Sequence, residues 1–273
     1  MIVFSHANSY SASTYRQLFE GWRAAGHEVA AVEHFGHDEG FPVDRRWRGM
    51  TQQLTGLIDS LPQPRLWLVG HSMGGYLSLL AAGQRPQRVR GIILLDSPVV
   101  YGWKSKLISV VKAVGQMPRV SPAAIAVKRR DRWHDLGEVH SHFAAKPMFA
   151  RWHPEVLKDY IHLGTEQDPA DRTGSARRLK FRPEIEAEIY STVPHRLVPY
   201  LRLHPPGGPV AFVAGTRSRE VRQVGLAATH RITQGRISWL EGSHLFPFES
   251  PDETVSEVLG WIERLDPVAA ERD

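Results

Sequence analysis

Cysteine is absent from this sequence, which excludes disulfides, thiolate metal sites and cysteine nucleophiles. Long apolar runs are absent too, since none approaches the roughly 20 residues that a membrane-spanning helix needs. The first residues, MIVFSHAN, lack the basic segment and the extended apolar segment of a secretory signal. These absences predict a cytoplasmic protein that has no membrane partner.

Positive charge is modest in total but unevenly distributed along the chain. The 273 residues carry a net charge of +5, yet residues 101–208 alone hold 18 Lys/Arg against 11 Asp/Glu, a surplus of +7. This surplus could attract an anionic ligand if it faces a pocket, or it could form an ordinary solvated surface. No recognition motif or basic-aromatic repeat indicates nucleic-acid binding.

Apolar, strand-like runs alternate with helical patterns over most of the chain. Tyr15, Leu18, Phe19 and Trp22 fall on one helical face, and a second such face ends before Pro62. The apolar runs occupy residues 2–4, 29–32, 66–69, 92–95, 210–213 and 237–240. This alternation predicts an α/β fold in which a mostly parallel sheet is covered by helices on both faces.

The alternation breaks between residues 101 and 208. That stretch contains several prolines and tryptophans and the loop-like DPADRTGS, and it returns to a strand through HPPGGP. We therefore predict a core formed by residues 1–100 and 209–273. The segment 101–208 is predicted to be an inserted cap of mainly helical structure.

Residues 70–74 read Gly-His-Ser-Met-Gly and lie between an apolar run and a helical segment. This G-x-S-x-G pattern is typical of a nucleophile elbow, a tight strand-to-helix turn that presents its serine. Gly70 and Gly74 lack Cβ atoms, which lets the strand and the helix pass close together. The helix that follows directs its N-terminal dipole toward developing negative charge. Ser72 is therefore the candidate nucleophile.

Together with this elbow, four further segments make the chain resemble the α/β-hydrolase family. FSHAN at 4–8 resembles the family's oxyanion strand end, and HFGHDEG at 34–40 resembles its Arg-Gly-His-Gly loop. Residues 88–96 resemble the strand after the nucleophile helix, and GSHLFP at 242–247 resembles the loop that bears the catalytic histidine. The resemblance implies a sheet of about six strands, because the family's first two antiparallel strands are missing here. The strand near residue 30 should then form one edge.

The resemblance also implies roles for individual residues. His244 follows the last predicted strand, where the family places the base that activates the serine. The backbone N–H groups of Met73 and Asn8 would stabilise the oxyanion of the transition state. Ala7 stands where the family usually has a glycine in the oxyanion loop.

The acid that orients the histidine is less clearly marked. The family most often places an aspartate shortly after the strand that ends at Gly215, but Ser218 stands there instead. Asp96, at the end of the preceding core strand, is one candidate, and Glu220 is the other. We favour Asp96, because a strand terminus fixes a carboxylate more rigidly than a loop and because arginines surround Glu220.

These residues predict a serine hydrolase that cleaves a carboxylic ester or a related acyl bond of a small molecule through an acyl-enzyme. Neither a metal nor an organic cofactor is implied. Acyl transfer, thioester hydrolysis and C–C bond hydrolysis on the same triad are alternatives. A ligand-sensing protein with an idle triad is another, and the missing aspartate after Gly215 favours it. The fold alone does not decide among them.

Overall fold

The computed structural model describes residues 1–100 and 123–266. A parallel sheet of six strands forms the centre of the protein, and strands within residues 132–179 form a three-stranded antiparallel sheet. In chain order the strands are β1 (Ile2–Ser5), β2 (Val29–Ala31), β3 (Leu66–His71), β4 (Val89–Leu95), β5 (Arg132–Trp133), β6 (Thr165–Gln167), β7 (Arg177–Leu179), β8 (Val210–Gly215) and β9 (Ile237–Leu240).

The central sheet confirms the predicted architecture. Its strand order is β2-β1-β3-β4-β8-β9, and every neighbouring pair is parallel. The strand near residue 30, β2, lies at one edge as predicted. The four interior strands are almost wholly buried, whereas β2 and β9 are only partly buried. Interior strands therefore read as continuous apolar runs, because both of their faces are covered.

Helices connect the strands and cover the sheet. They are α1 (Arg16–Ala24), α2 (Arg48–Ser60), α3 (Met73–Gln84), α4 (Ala123–Ala126), α5 (Leu136–Ala144), α6 (Pro154–Leu163), α7 (Pro183–Thr192), α8 (Leu197–Leu203), α9 (Arg219–Val224), α10 (Ala227–Thr233), α11 (Phe246–Glu249) and α12 (Pro251–Leu265). None of these helices is both long and apolar enough to cross a membrane.

Successive residues of the interior strands pack on opposite faces of the sheet. On one face, Phe4 of β1 belongs to a buried cluster with Trp22 of α1 and with α12. On the other face, Val3 of β1 belongs to a second cluster with Leu54 of α2 and Leu77 of α3. Because alternate side chains of each strand point to opposite faces of the sheet, the core is divided between the two helical layers.

The segment between β4 and β8, called the insertion below, contains strands in addition to the helices that the sequence predicted. Strands β5, β7 and β6 form its antiparallel sheet beside α4 to α8, while residues 101–122 of the predicted cap lie outside the described residues. The insertion also packs into the core, since the Trp152 ring centroid lies 5.6 Å from that of Tyr10 and 4.5 Å from that of Phe248. Tyr200 of α8 donates a hydrogen bond to the Leu80 carbonyl of α3 at 3.0 Å.

Candidate active site

Ser72 occupies a strained turn between β3 and α3. Its backbone has φ 53° and ψ −113°, and a positive φ is uncommon for a residue other than glycine. The Ser72 N–H donates to the Leu95 carbonyl at 2.9 Å, which ties the turn to β4. A Cβ added at Gly74 would overlap the Ser5 carbonyl group, and one at Gly70 would overlap the backbone of Gly74. Glycine at both positions therefore permits the close approach that sets Ser72 at the start of α3.

His244 and Asp96 meet next to this turn, although they are 148 positions apart in the chain. His244 lies in the loop between β9 and α11, and Asp96 directly follows β4. His244 Nδ1 lies 2.8 Å from Asp96 Oδ1, so the ring donates to the carboxylate through Nδ1. Asp96 is fully buried. This bond leaves Nε2 as the ring nitrogen that can accept a proton.

Ser218 completes the surroundings of the Asp96 carboxylate, a role that the sequence did not reveal. Its hydroxyl donates to Asp96 Oδ1 at 2.6 Å, and the Gly215 N–H donates to Asp96 Oδ2 at 2.8 Å. Ser218 is the residue that replaces the aspartate usual after this strand. The carboxylate therefore comes from β4, and the β8 loop supplies a hydroxyl that holds it.

Glu220, the alternative acid, lies near the same histidine but farther away. Its Oε2 atom is 3.8 Å from His244 Nδ1 and accepts a longer hydrogen bond, of 3.4 Å, from the Ser218 hydroxyl. Its side chain is 46% exposed, whereas that of Asp96 is fully buried. The geometry thus gives Asp96 the direct hydrogen bond and leaves Glu220 as a second, solvated charge.

The pKa of His244 is raised above the ordinary histidine value. Burial alone would lower it, but the hydrogen bond to Asp96 and the negative charges of Asp96 and Glu220 outweigh this penalty. These carboxylates therefore stabilise the imidazolium that forms when the ring takes a proton.

The same three side chains are also a candidate metal-ligand set among the described residues. Single potential ligand atoms of Asp96, Glu220 and His244 all lie within 4.8 Å of one another. Both Asp96 oxygens, however, already accept hydrogen bonds from N–H or O–H groups. This donor set fits a hydrogen-bonded carboxylate better than a metal ligand.

Asn8 and Met73, the predicted oxyanion donors, both lie beside Ser72 and line a cavity with it. Met73 is the first residue of α3, so its N–H is one of those that no helix carbonyl can satisfy. The Asn8 side chain donates from Nδ2 to the Glu186 carbonyl of α7 at 3.1 Å. The insertion therefore holds the loop that carries the second donor.

A buried chain of hydrogen bonds joins the three loops of the site. The Ala7 N–H donates to Tyr15 Oη at 3.1 Å, and Tyr15 Oη lies 2.8 Å from His71 Nδ1. His71 Nε2 lies 2.9 Å from the His244 carbonyl oxygen, which can only accept, so this nitrogen carries the proton. Tyr15 therefore donates to Nδ1 of His71. This chain of hydrogen bonds fixes the loops of Ala7, Ser72 and His244 relative to one another, and no motif in the sequence indicated it.

Ser72 lies between two cavities formed by the described residues. The larger, of about 600 Å³, is lined by Ser72, His244 and Glu220 together with Met148, Arg151 and Tyr190 of the insertion. The smaller, of about 140 Å³, is lined by Ser72, Asp96 and His244 together with apolar side chains. Every predicted site residue thus lines at least one cavity that contains Ser72.

Four buried or half-buried histidines, all with a lowered pKa, are expected to make the stability of the protein depend on pH. Burial lowers the pKa of His6 and His71 to about 3 and that of His34 and His37 to about 4. In the unfolded chain these side chains bind protons near the ordinary value of 6.5. The free energy of unfolding that these histidines contribute is therefore fully present above pH 6.5 and is lost as pH falls toward their pKa values in the folded protein. The loss is about 2 kcal/mol at pH 5 for each fully buried histidine.

We expect the thermal midpoint to be nearly constant from about pH 8 to 7 and to fall steadily between about pH 6.5 and 4.5, as measured by circular dichroism. His244 acts in the opposite direction, because its raised pKa adds stability at low pH, but it is one group against several histidines whose pKa is lowered. His162→Gln removes an exposed histidine and should leave the profile unchanged. A midpoint that stays constant down to pH 4.5 would contradict this expectation.

Comparison with known proteins identifies the family of this chain. Residues 2–257 match the model of the alpha/beta hydrolase family. The sn-1-specific diacylglycerol lipase of Mus musculus is 34% identical over 137 residues, which cover 48% of this chain and 44% of the lipase. The chain therefore spans less than half the length of that curated relative.

Solved structures show the same fold at lower sequence identity. E-2-(Acetamidomethylene)succinate hydrolase superposes with a TM-score of 0.71 and 21% identity, covering 96% of this chain and 91% of the other. The thioesterase domain from the curacin biosynthetic pathway also gives a TM-score of 0.71, with 19% identity and coverage of 94% and 90%. The family match over nearly the whole chain shows that this chain belongs to the alpha/beta hydrolase family.

Proposed function

We propose that this protein is a serine hydrolase that cleaves a carboxylic ester or a related acyl bond of a small molecule through an acyl-enzyme. The observation that carries the proposal is the 2.8 Å hydrogen bond between His244 Nδ1 and the buried Asp96 carboxylate. Both residues line a cavity with Ser72, which stands in a strained turn at the start of a helix. A serine, a histidine and an orienting carboxylate are the parts that acyl transfer to a hydroxyl requires.

In this mechanism Ser72 Oγ attacks the carbonyl carbon of the substrate while His244 Nε2 accepts the serine proton. The negative charge that develops on the carbonyl oxygen is stabilised by the N–H groups of Met73 and Asn8. The tetrahedral intermediate then collapses, and His244 gives its proton to the departing oxygen. Water attacks the acyl-enzyme with His244 again as base, which releases the acid and restores Ser72.

Asp96 keeps the imidazole in the tautomer that has its proton on Nδ1 and stabilises the imidazolium at each step. Ser218 and Gly215 hold the carboxylate in turn through their hydrogen bonds. A base that works in catalysis needs an acid bonded to it, so the Asp96–His244 bond and the raised pKa of His244 favour catalysis over the sensing alternative.

We also propose that the insertion acts as a cap over the nucleophile. Met148, Arg151 and Tyr190 line the larger cavity from the insertion, and Ile189 and Tyr190 line the smaller one. Side chains that enclose Ser72 in this way would exclude water and select the substrate. The lipase and thioesterase names of the similar proteins agree with chemistry at an acyl group.

Labelling with a fluorophosphonate, followed by peptide mapping, tests the nucleophile directly. We expect stoichiometric modification of Ser72 together with turnover of p-nitrophenyl esters, because the base next to Ser72 makes its hydroxyl reactive. Ser72→Ala should lose the label, whereas Ser243→Ala, at another serine of the larger cavity, should still be labelled on Ser72. A folded protein that turns over no ester, or that is labelled at a different serine, would refute the proposal.

A further inference from the structure

Arginine side chains surround the larger cavity beside Ser72. Arg217, Arg219 and Arg222 come from the segment that follows β8, and Arg151 comes from the insertion. The carboxylate that lines the cavity with them is Glu220.

Two of the four arginines are neutralised by carboxylates outside the cavity. Arg217 pairs with Glu241 and lies 3.7 Å from Glu249, and Arg151 lies 3.3 Å from Glu249. Within residues 1–100 and 123–266, Arg219 and Arg222 form no ion pair. Arg222 donates to the Arg217 carbonyl at 3.0 Å, which uses one of the five N–H donors of its guanidinium.

Arg219 and Arg222 are exposed and lie about one turn apart in the short helix α9. Neither guanidinium is explained by packing or by an ion pair with the described residues. Glu220, between them in sequence, has its Oε2 atom 3.8 Å from His244 Nδ1 and forms no ion pair with an arginine among the described residues. The planar guanidinium fork matches carboxylate and phosphate oxygens, and it is used where such groups are recognised.

The smaller cavity has the opposite character. Met73, Tyr76, Pro98, Ile189 and Val193 are among the side chains that line it. Both cavities share Ser72, Asn8 and His244, so a carbonyl group at Ser72 has an apolar space on one side and a cationic space on the other.

We propose that the substrate is an anionic ester, with a small apolar group in the smaller cavity and an anionic group bound by Arg219 and Arg222 in the larger one. This inference rests on the proposed function and names the substrate class of the same site. The positive charge at the cavity comes mainly from the β8–α9 segment and less from the basic insertion. Several arginines of the insertion are paired instead with its own carboxylates, as in Arg130–Glu138 and Arg132–Asp168.

Two pairs of esters, in which the carboxylate of the first member is replaced by a neutral alkyl ester in the second, test the inference in both orientations of the ester, with rates counted per scissile ester bond. Monoethyl glutarate is compared with diethyl glutarate, and 4-carboxyphenyl butyrate with its methyl ester. In at least one pair we expect kcat/KM for the anion to be about tenfold higher or more, mainly through a lower KM. Added salt should reduce this preference, because the arginines are exposed.

Arg219→Gln/Arg222→Gln should abolish the preference while retaining turnover of the neutral esters. The matched control, Arg172→Gln/Arg202→Gln, removes two exposed arginines that do not line the cavity and should keep the preference. Equal rates for charged and neutral esters in both pairs, or a preference that survives in the Arg219/Arg222 variant, would overturn the inference.

A binding measurement separates failure of this inference from failure of the proposed function. In the Ser72→Ala variant, calorimetry with 4-carboxyphenyl butyrate and its methyl ester, and with monoethyl and diethyl glutarate, reports the preference without turnover. If the wild type hydrolyses no ester but the variant binds an anion more tightly, the hydrolase proposal fails and the anion site stands. If the esters are hydrolysed without any preference in rate or binding, the anion site fails and the hydrolase proposal stands.

Discussion

Replacing Asp96 by asparagine is expected to lower kcat by about 10⁴-fold with much less effect on KM. The amide cannot stabilise the imidazolium, and its NH₂ group can turn the ring to the wrong tautomer. Asp96 accepts three hydrogen bonds in a fully buried position, which fixes its carboxylate against the His244 ring. Steady-state kinetics on a p-nitrophenyl ester measures the effect, with circular dichroism to verify the fold.

Glu220→Gln is the matched control for this substitution, because it makes the same chemical change 3.8 Å from the same ring nitrogen. We expect it to be nearly silent, since Glu220 is half exposed and water can replace most of its effect. A large loss in Glu220→Gln together with an active Asp96→Asn would reverse the assignment of the acid.

The pH dependence gives a second readout of Asp96. The basic form of His244 accepts the serine proton, so activity should rise as pH increases through the pKa of His244. The bond to Asp96 raises this pKa, and its loss in Asp96→Asn should move the acidic limb of the profile to lower pH. An unchanged limb would mean that Asp96 does not act on the histidine.

Replacing Ser72 by alanine is expected to lower kcat by about 10⁶-fold, because the acyl-enzyme cannot form. The residual rate would come from the oxyanion donors and from substrate binding alone. The thermal midpoint should not fall, since the hydroxyl at this turn contributes little packing. Ester turnover near the wild-type rate in Ser72→Ala would show that another residue is the nucleophile.

Ser72→Gly separates the strain of the elbow from its chemistry. Both variants lack the hydroxyl, but only glycine adopts φ 53° without a steric penalty. Strain of this kind costs about 1–3 kcal/mol, partly offset by the greater freedom of glycine in the unfolded chain. We therefore expect Ser72→Gly to melt about 2–4 °C above Ser72→Ala. A glycine variant that melts at or below the alanine variant would indicate an unstrained turn.

The sequence by itself determined the central sheet and the elbow, because these depend on patterns that act over a few neighbouring residues. The run Leu66 to Val69 is apolar at every position, as a strand buried on both faces must be. The glycines at 70 and 74 are required by close backbone contacts, and their spacing marks Ser72 without any knowledge of the rest of the fold.

Only the tertiary structure showed which carboxylate bonds to His244, where Ser218 donates and which arginines reach the cavity. The sequence located its charge surplus in the insertion, yet three of the four arginines at the larger cavity follow β8. His244 Nδ1 lies 2.8 Å from an Asp96 oxygen and 3.8 Å from a Glu220 oxygen, so only the folded structure distinguishes the two acids. His244 and Asp96 are 148 positions apart in the chain, and the packed sheet decides how close their strand ends come. No local sequence pattern encodes this distance.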